Sequence, residues 1–385
     1  MDKKNLLDGM SKKQVLDNFR DYVKEQTFFH FGYPYNLEFN NSDLKDFLDY
    51  SINNLGDPFE PSNYGVHSRQ FEIKVLNFFA ELWKIDSFWG YVTNSGTEGN
   101  LQAMIVAREN LHKGIIYTSV DTHYSVFKAA KFYRMDLELI PSNDKGEIDL
   151  EELESRIIKN KELPIILNLN LGTTVKGAID DVKGVLNILQ KLDIPKENYY
   201  IHCDGALYAM ILPFIDNKNK PIIDFTLPID SLSVSGHKFI GAPMPCGIFL
   251  TRSKNMEAIK TPIEYLNSVD TTITGSRNGH ASLYIWNVLV DKGFEGFKED
   301  AIKCTVNAKY MYNKIKELGI YCFINDFSTT IVLERPRCHK FIKKWQLACE
   351  KNIAHVVIMP SVNKNKIDLF VNEIAILKDK GQIGT

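Results

Sequence analysis

The sequence is poor in cysteine, and none of it is paired. Six cysteines are scattered over 385 residues and no C-x-x-C occurs. Thiols so spaced in a long chain read as reduced side chains of a cytoplasmic protein, because a disulfide frame or zinc site needs closer spacing. A basic tract is also missing. Lys and Arg alternate with acids and the net charge is −2, which excludes a general electrostatic footprint for nucleic acid or an anionic membrane surface. No apolar run approaches the roughly 18 residues of a membrane span. The opening residues MDKKNLLDGMSKKQ lack the apolar core of a signal peptide. Internal repeats and low-complexity linkers are absent as well.

What is present is ordinary globular composition, 44% hydrophobic and 24% charged. The length exceeds one compact core and suggests a large domain with a smaller one. Residues 1–57 read as a helical segment with aromatic-rich loops. Across 58–278, short apolar runs alternate with helical patterns: FWGYVTNSG, then TEGNLQAMIVARENL as a helix, GIIYTS, SVFKAAKFYRM as a helix, LELIP, LPIILNLNLG, YYIHCDGAL, DSLSVSGHK and CGIFLTR. Such alternation predicts a mostly parallel sheet covered on both faces. Residues 279–385 read as a small α+β domain. It opens with a long helix, then STTIVLER, a helix around FIKKWQLACEKN, the strand AHVVIMP and a last helix.

In sheets of this kind ligands sit beyond the carboxyl ends of the strands. Four of the loops there carry unusual residues. In TNSGTEGN, Ser95, Gly96 and Thr97 open a helix, and free N–H groups at such a start suit a phosphate; taken alone, an ordinary helix cap supported by Glu98 is the better explanation of the loop. In DTHYS, His123 between a strand and a helix is either a cap or a flat ring for a planar ligand. In YIHCDGAL, Asp204 ends a run that reads as buried, where a carboxylate needs a cationic or donor partner. A metal site of His202, Cys203 and Asp204 is disfavoured, since neighbours on a strand point to opposite faces. In SLSVSGHKFIGAPMPCG, Lys238 follows a strand with Ser235 and His237 just before it. Singly, each residue has a bland explanation. Together they form the set that pyridoxal 5′-phosphate needs: a lysine amine for its aldehyde, a carboxylate for its ring nitrogen, and donors for its phosphate.

With these motifs the chain resembles the group II amino-acid decarboxylases, which use pyridoxal phosphate on the type I, aspartate-aminotransferase-like fold. Within that family it is similar to the short branch of bacterial histidine decarboxylases and plant serine decarboxylases. GDPFEPSNYGVHSRQFE, WGYVTNSGTEGN, DTHYSVFKAAK, LGTTVKGAIDD, HCDGAL, SVSGHKFIGAPMPCG and TGSRNGHA carry the likeness, over nearly the whole chain. The first of these and WQLACEKNIAHVVIMPSV lean toward the serine side.

The resemblance implies an α/β fold with a large, mostly parallel seven-stranded sheet and a small C-terminal domain. It implies a Schiff base on Lys238, Asp204 paired with the ring nitrogen, Ala206 beneath the ring and His123 stacked above it. Ser95, Gly96, Thr97, Ser235 and His237 would bind the phosphate, and Thr173 would lie near the ring substituents. His67 and Tyr64 would border the substrate, together with His123. Tyr265 or His123 would return a proton to Cα. The family usually has glycine where this chain has Ser95. The expected reaction converts L-serine to ethanolamine and carbon dioxide, with L-histidine to histamine as the alternative. An aminotransferase, with Arg277 as carboxylate clamp, and an inactive binding relative are weaker readings. A cytoplasmic homodimer with its site at the interface is expected from the resemblance alone.

Overall fold

The computed structural model describes residues 7–384. Residues 1–6 of the expected N-terminal segment lie outside the described residues. That segment contains helix α1 (Lys12–Phe28) and a 3-10 helix (Ser42–Asp49). Ser11 caps α1 reciprocally with Gln14. Between the two helices the chain packs on the C-terminal domain. Phe29 and Phe31 both lie 5.3 Å from the Trp345 ring, and Lys366 Nζ donates to His30 O at 2.9 Å.

The large domain comprises α2 (Arg69–Leu82), β1 (Phe88–Thr93), α3 (Gly96–Asn110), β2 (Ile115–Ser119), α4 (Tyr124–Tyr133), β3 (Leu137–Ile140), α5 (Leu150–Lys159), β4 (Ile165–Asn170), α6 (Val182–Lys191), β5 (Tyr199–Asp204), α7 (Tyr208–Ile211), β6 (Ser231–Ser235) and β7 (Gly247–Arg252). Its seven strands form one sheet in the order β1-β7-β6-β5-β4-β2-β3. Only β7 runs against the rest. Strands β2, β4 and β6 are buried along their whole length, as a sheet covered on both faces requires. Each large apolar side chain so buried contributes roughly 1.5–3 kcal/mol.

A short hairpin, β8 (Thr261–Ile263) and β9 (Ser268–Asp270), precedes α8 (Gly279–Glu317). Helix α8 is capped by Asn278 and broken at Gly293, whose φ of 56° no ordinary helical residue takes up. It leads into an antiparallel sheet of β10 (Cys322–Ile324), β11 (Thr330–Glu334), β12 (Ala348–Glu350) and β13 (Ile353–Val357), with α9 (His339–Trp345) and α10 (Lys364–Asp379). The sequence predicts one helix through FIKKWQLACEKN. Instead α9 stops at Trp345, because Gln346 takes the left-handed conformation, and Ala348–Glu350 pairs with β13.

The parallel arrangement has one consequence for chemistry. The loops after β1, β2, β4, β5 and β6 all emerge at the same sheet edge. They carry Gly96, His123, Thr173, Ala206 and Lys238.

Candidate active site

The segment SLSVS alternates, so Ser231, Ser233 and Ser235 point to one face of β6 while Leu232 and Val234 enter the main core on the other. Strand β5 pairs with it in parallel register, His202 with Ser231 and Asp204 with Ser233. His202 and Asp204 therefore share the polar face, and Ile201 and Cys203 share the apolar one. Helix α3 lies over the polar face. Its Gly96 approaches Ser235 so closely that a Cβ there would overlap the serine hydroxyl.

Beyond β6 the chain makes a single π-helical turn, Gly236–Ile240, in which Lys238 leaves helical geometry at φ −85°, ψ −114°. Gly241 closes the turn at φ 93° against the Asn36 side chain, a backbone state that favours glycine. Asn36 holds the turn from outside. Its N–H donates to Lys238 O and its Nδ2 to Phe239 O, both at 3.1 Å. The Lys238 amine has no hydrogen bond or ion pair among the described residues. Burial lowers its pKa, and the nearby Asp204 charge opposes that fall. A lysine so placed is available as a nucleophilic free amine.

Asp204 ends β5 at 7% exposure. Asn100 Nδ2 donates to its Oδ2 at 2.6 Å and Ala206 N to its Oδ1 at 3.2 Å. His123 caps α4, accepting from Ser125 N at 3.3 Å. Burial lowers the pKa of His123; Asp204 opposes this, while Lys238 and Lys128 add to it. The cap reading of His123 therefore holds alongside its place beside the other two charges. His237 is half-buried, its Nδ1 at the Cys246 backbone and its ring 5.4 Å from Tyr35. Burial lowers its pKa too.

Ser95 is the N-cap of α3, with φ −170° and its hydroxyl oxygen accepting from Glu98 N at 3.3 Å. That extended backbone suits any residue, so serine replaces the usual glycine without strain. Gly96 and Thr97 follow at the helix start, where unpaired N–H groups face outward. Thr173 is buried and its hydroxyl accepts from Ala178 N at 3.0 Å, which fixes the loop after β4.

The remaining residues expected from the sequence are His67, Tyr64, Tyr265 and Arg277. The charges felt by His67 are Arg69 and Glu72, and its Nδ1 accepts from Arg69 N. Tyr64 is on the same loop, half-buried, next to Asn63, which donates to Leu266 O at 3.1 Å. Tyr265 stands at the tip of the β8–β9 hairpin, 82% exposed. Arg277 is sealed away. Its guanidinium pairs with Glu72, with side-chain exposures of 1% and 0%, and lies over the Tyr91 ring. Nη2 donates to Gly56 O at 2.9 Å. An arginine committed in this way cannot clamp a substrate carboxylate, which removes the ground for the aminotransferase reading.

Comparison with known proteins shows the family. The pyridoxal-dependent decarboxylase conserved domain matches residues 41–333. The chain belongs to that family. It is 50% identical to serine decarboxylase 1 of Oryza sativa subsp. japonica over 94% of this chain and 74% of the rice protein. It is 45% identical to histidine decarboxylase of Solanum lycopersicum, over 97% of this chain and 91% of the tomato protein. L-methionine decarboxylase from Streptomyces sp. 590, solved in its internal aldimine form, superposes with TM-score 0.89 at 26% identity, over 98% of each chain. The decarboxylase is thus a pyridoxal-phosphate-dependent enzyme of type I fold acting on an amino acid. No helix among the described residues is long and apolar enough to cross a membrane.

The residues of the decarboxylase fit the cofactor. An unpartnered amine, a carboxylate anchored on both oxygens, and a close Gly96–Ser235 approach at a helix start supply the donor set in one place. Asn100 lies four residues after Gly96 on α3, about 6 Å further along the axis. Asn100, Ser125 and Ser233 were not singled out by the sequence. The alternation in SLSVS is a signal for Ser233 alone.

Proposed function

We propose that Lys238 binds pyridoxal phosphate covalently and that the enzyme decarboxylates L-serine to ethanolamine and carbon dioxide. The observation that carries the site assignment is the free Lys238 amine whose principal charged neighbour is Asp204. When bound, the cofactor supplies an electron sink for the pair left as the Cα–carboxylate bond breaks. Asp204, locked by Asn100 and Ala206 N, would hold a proton on the pyridine nitrogen. His123 would press its flat ring on one face and Ala206 its methyl on the other. The N–H groups of Gly96 and Thr97, with the hydroxyls of Ser95 and Ser235 and with His237, would take the phosphate. Thr173 would border the ring substituents, while His67 and Tyr64 would line the approach of the substrate. Two groups are candidates for protonating Cα: His123, sheltered beside Lys238, and Tyr265, which requires a second chain to cover it.

A homodimer is supported by α1. None of its own residues is buried, and Leu16, Phe19, Tyr22, Val23 and Phe28 are exposed on it. Cytoplasmic residence is supported by six free cysteines, three of them buried.

Serine as substrate is supported by the likeness to the rice serine decarboxylase and by the motifs that lean the same way. The test is an amine-product assay of the holoenzyme over serine, histidine, tryptophan and tyrosine. Ethanolamine from serine alone is the expected result. Histamine from histidine alone would overturn the substrate and leave the chemistry standing.

A further inference from the structure

Between Asp204 and His123 lies a closed polar network centred on Asn100, which is buried against the sheet. Asn100 Nδ2 donates to Asp204 Oδ2 at 2.6 Å and to Ser125 Oγ at 2.8 Å. Its Oδ1 accepts from Ser233 Oγ at 3.1 Å and faces His202 Nε2 at 3.0 Å. Both donors and both acceptor sites of the amide are in use. Its orientation has no freedom, because a carboxylate oxygen at that distance demands the NH₂ end.

Directionality then propagates. Ser125 Oγ accepts from Asn100, so its own hydrogen goes to His123 Nδ1, 2.8 Å away. That nitrogen also accepts from Ser125 N at 3.3 Å. A ring nitrogen receiving two donors carries no proton, so the proton of neutral His123 resides on Nε2. Nε2 has no hydrogen-bond partner among the described residues. On the other side, His202 Nε2 must donate to Asn100 Oδ1, and its Nδ1 accepts from Ser231 Oγ at 2.8 Å. Burial keeps His202 neutral, with a pKa of about 4.

We propose that Asn100 is a positioning residue that, through one amide, orients the Asp204 carboxylate and, through Ser125, fixes His123 in the Nε2–H form. The stretch of hydrogen bonds between the two site groups acts as a rigid spacer. It presents an acceptor on Asp204 and a lone donor on His123 in a set relation. This rests on the assignment of Asp204 and His123 to the site. It does not depend on which amino acid is consumed.

The test is long-range proton–nitrogen correlation on holoenzyme with ring-labelled histidine, the His123 signal being assigned by its loss in His123→Gln. The wild type should show an unprotonated Nδ1 and a protonated Nε2 around neutral pH. In Ser125→Ala, which removes only one hydroxyl, the proton should spread over both nitrogens and kcat should fall on the order of tenfold with KM little changed. In Asn100→Ala the same redistribution should accompany a fall of about 10- to 100-fold, the range for losing a group that orients a reacting one. A proton on Nδ1 in the wild type would overturn the proposal. So would an unchanged tautomer in Ser125→Ala, or redistribution there with kcat intact. Mapping the cofactor onto Lys238 reads the site assignment separately, so the two can fail independently.

Discussion

Two pairs of opposite charge in this molecule are treated differently. Glu72 and Arg277 come from segments 205 residues apart and are closed on each other. Glu72 also accepts from Val92 N and Asn54 Nδ2, and Arg277 from its other nitrogen donates to Gly56 O. Lys238 and Asp204 come from adjacent strand ends and are left open. Asp204 is anchored by neutral donors, and the amine by nothing among the described residues. A buried charge without a partner is expensive. The chain closes one pair on itself and leaves the Lys238 amine of the other without a hydrogen bond among the described residues, as the proposed attachment of a ligand there requires. The first pair ties α2, β1 and the start of α8 into one body. The second is the pair proposed to supply reactivity.

The comparison can be broken at either pair. Asp204→Asn keeps the shape of the open pair and removes its charge. Turnover of the holoenzyme should fall by on the order of 10²- to 10³-fold, as for loss of one preorganised electrostatic partner, with folding stability little changed; near-normal turnover would separate Asp204 from the chemistry. Arg277→Met does the reverse. It strands Glu72 in the core and should cost about 3–5 kcal/mol of stability, read as a lower denaturation midpoint. If the loss is instead confined to kcat, the closed pair is not structural.

A third effect, spread over several pH units, concerns protonation. His202 and His355 are buried with their pKa pushed down to about 4, burial being the main cause for each. Asp204 pulls His202 back up without winning, and a backbone contact does the same for His355. The unfolded chain takes up protons at these sites near pH 6.5, whereas the fold refuses them until pH falls to about 4. Stability is therefore complete above 6.5 and declines as pH drops toward 4, by up to roughly 3 kcal/mol per histidine. Midpoints measured across that range should slope accordingly, and His355→Leu should remove part of the slope. A flat profile would mean that the network around His202 is not held neutral.

Much of the site is legible in the sequence because parallel strands deliver their following loops to one edge. Lys238, Asp204 and His123 each stand within a few residues of a strand end, so the topology alone brings them together. The alternation in SLSVS likewise announces a polar face. Other features depend on distances that no local pattern encodes. Asn100 reads as part of a helix cap until the register of β5 and β6 sets His202, Asp204 and Ser233 around it. Arg277 reads as a free clamp beside GSRNG until Glu72 arrives from α2. The end of α9 turns on a single left-handed residue, Gln346, and the exposure of Tyr265 follows from a hairpin only three residues long on each side.

Borohydride reduction of the loaded enzyme, followed by peptide mass mapping, tests most directly whether the open pair was reserved for the cofactor. The account predicts a phosphopyridoxyl group on Lys238 alone, and none anywhere in a folded Lys238→Ala variant. The label on a different lysine, or its persistence in that variant, would contradict it.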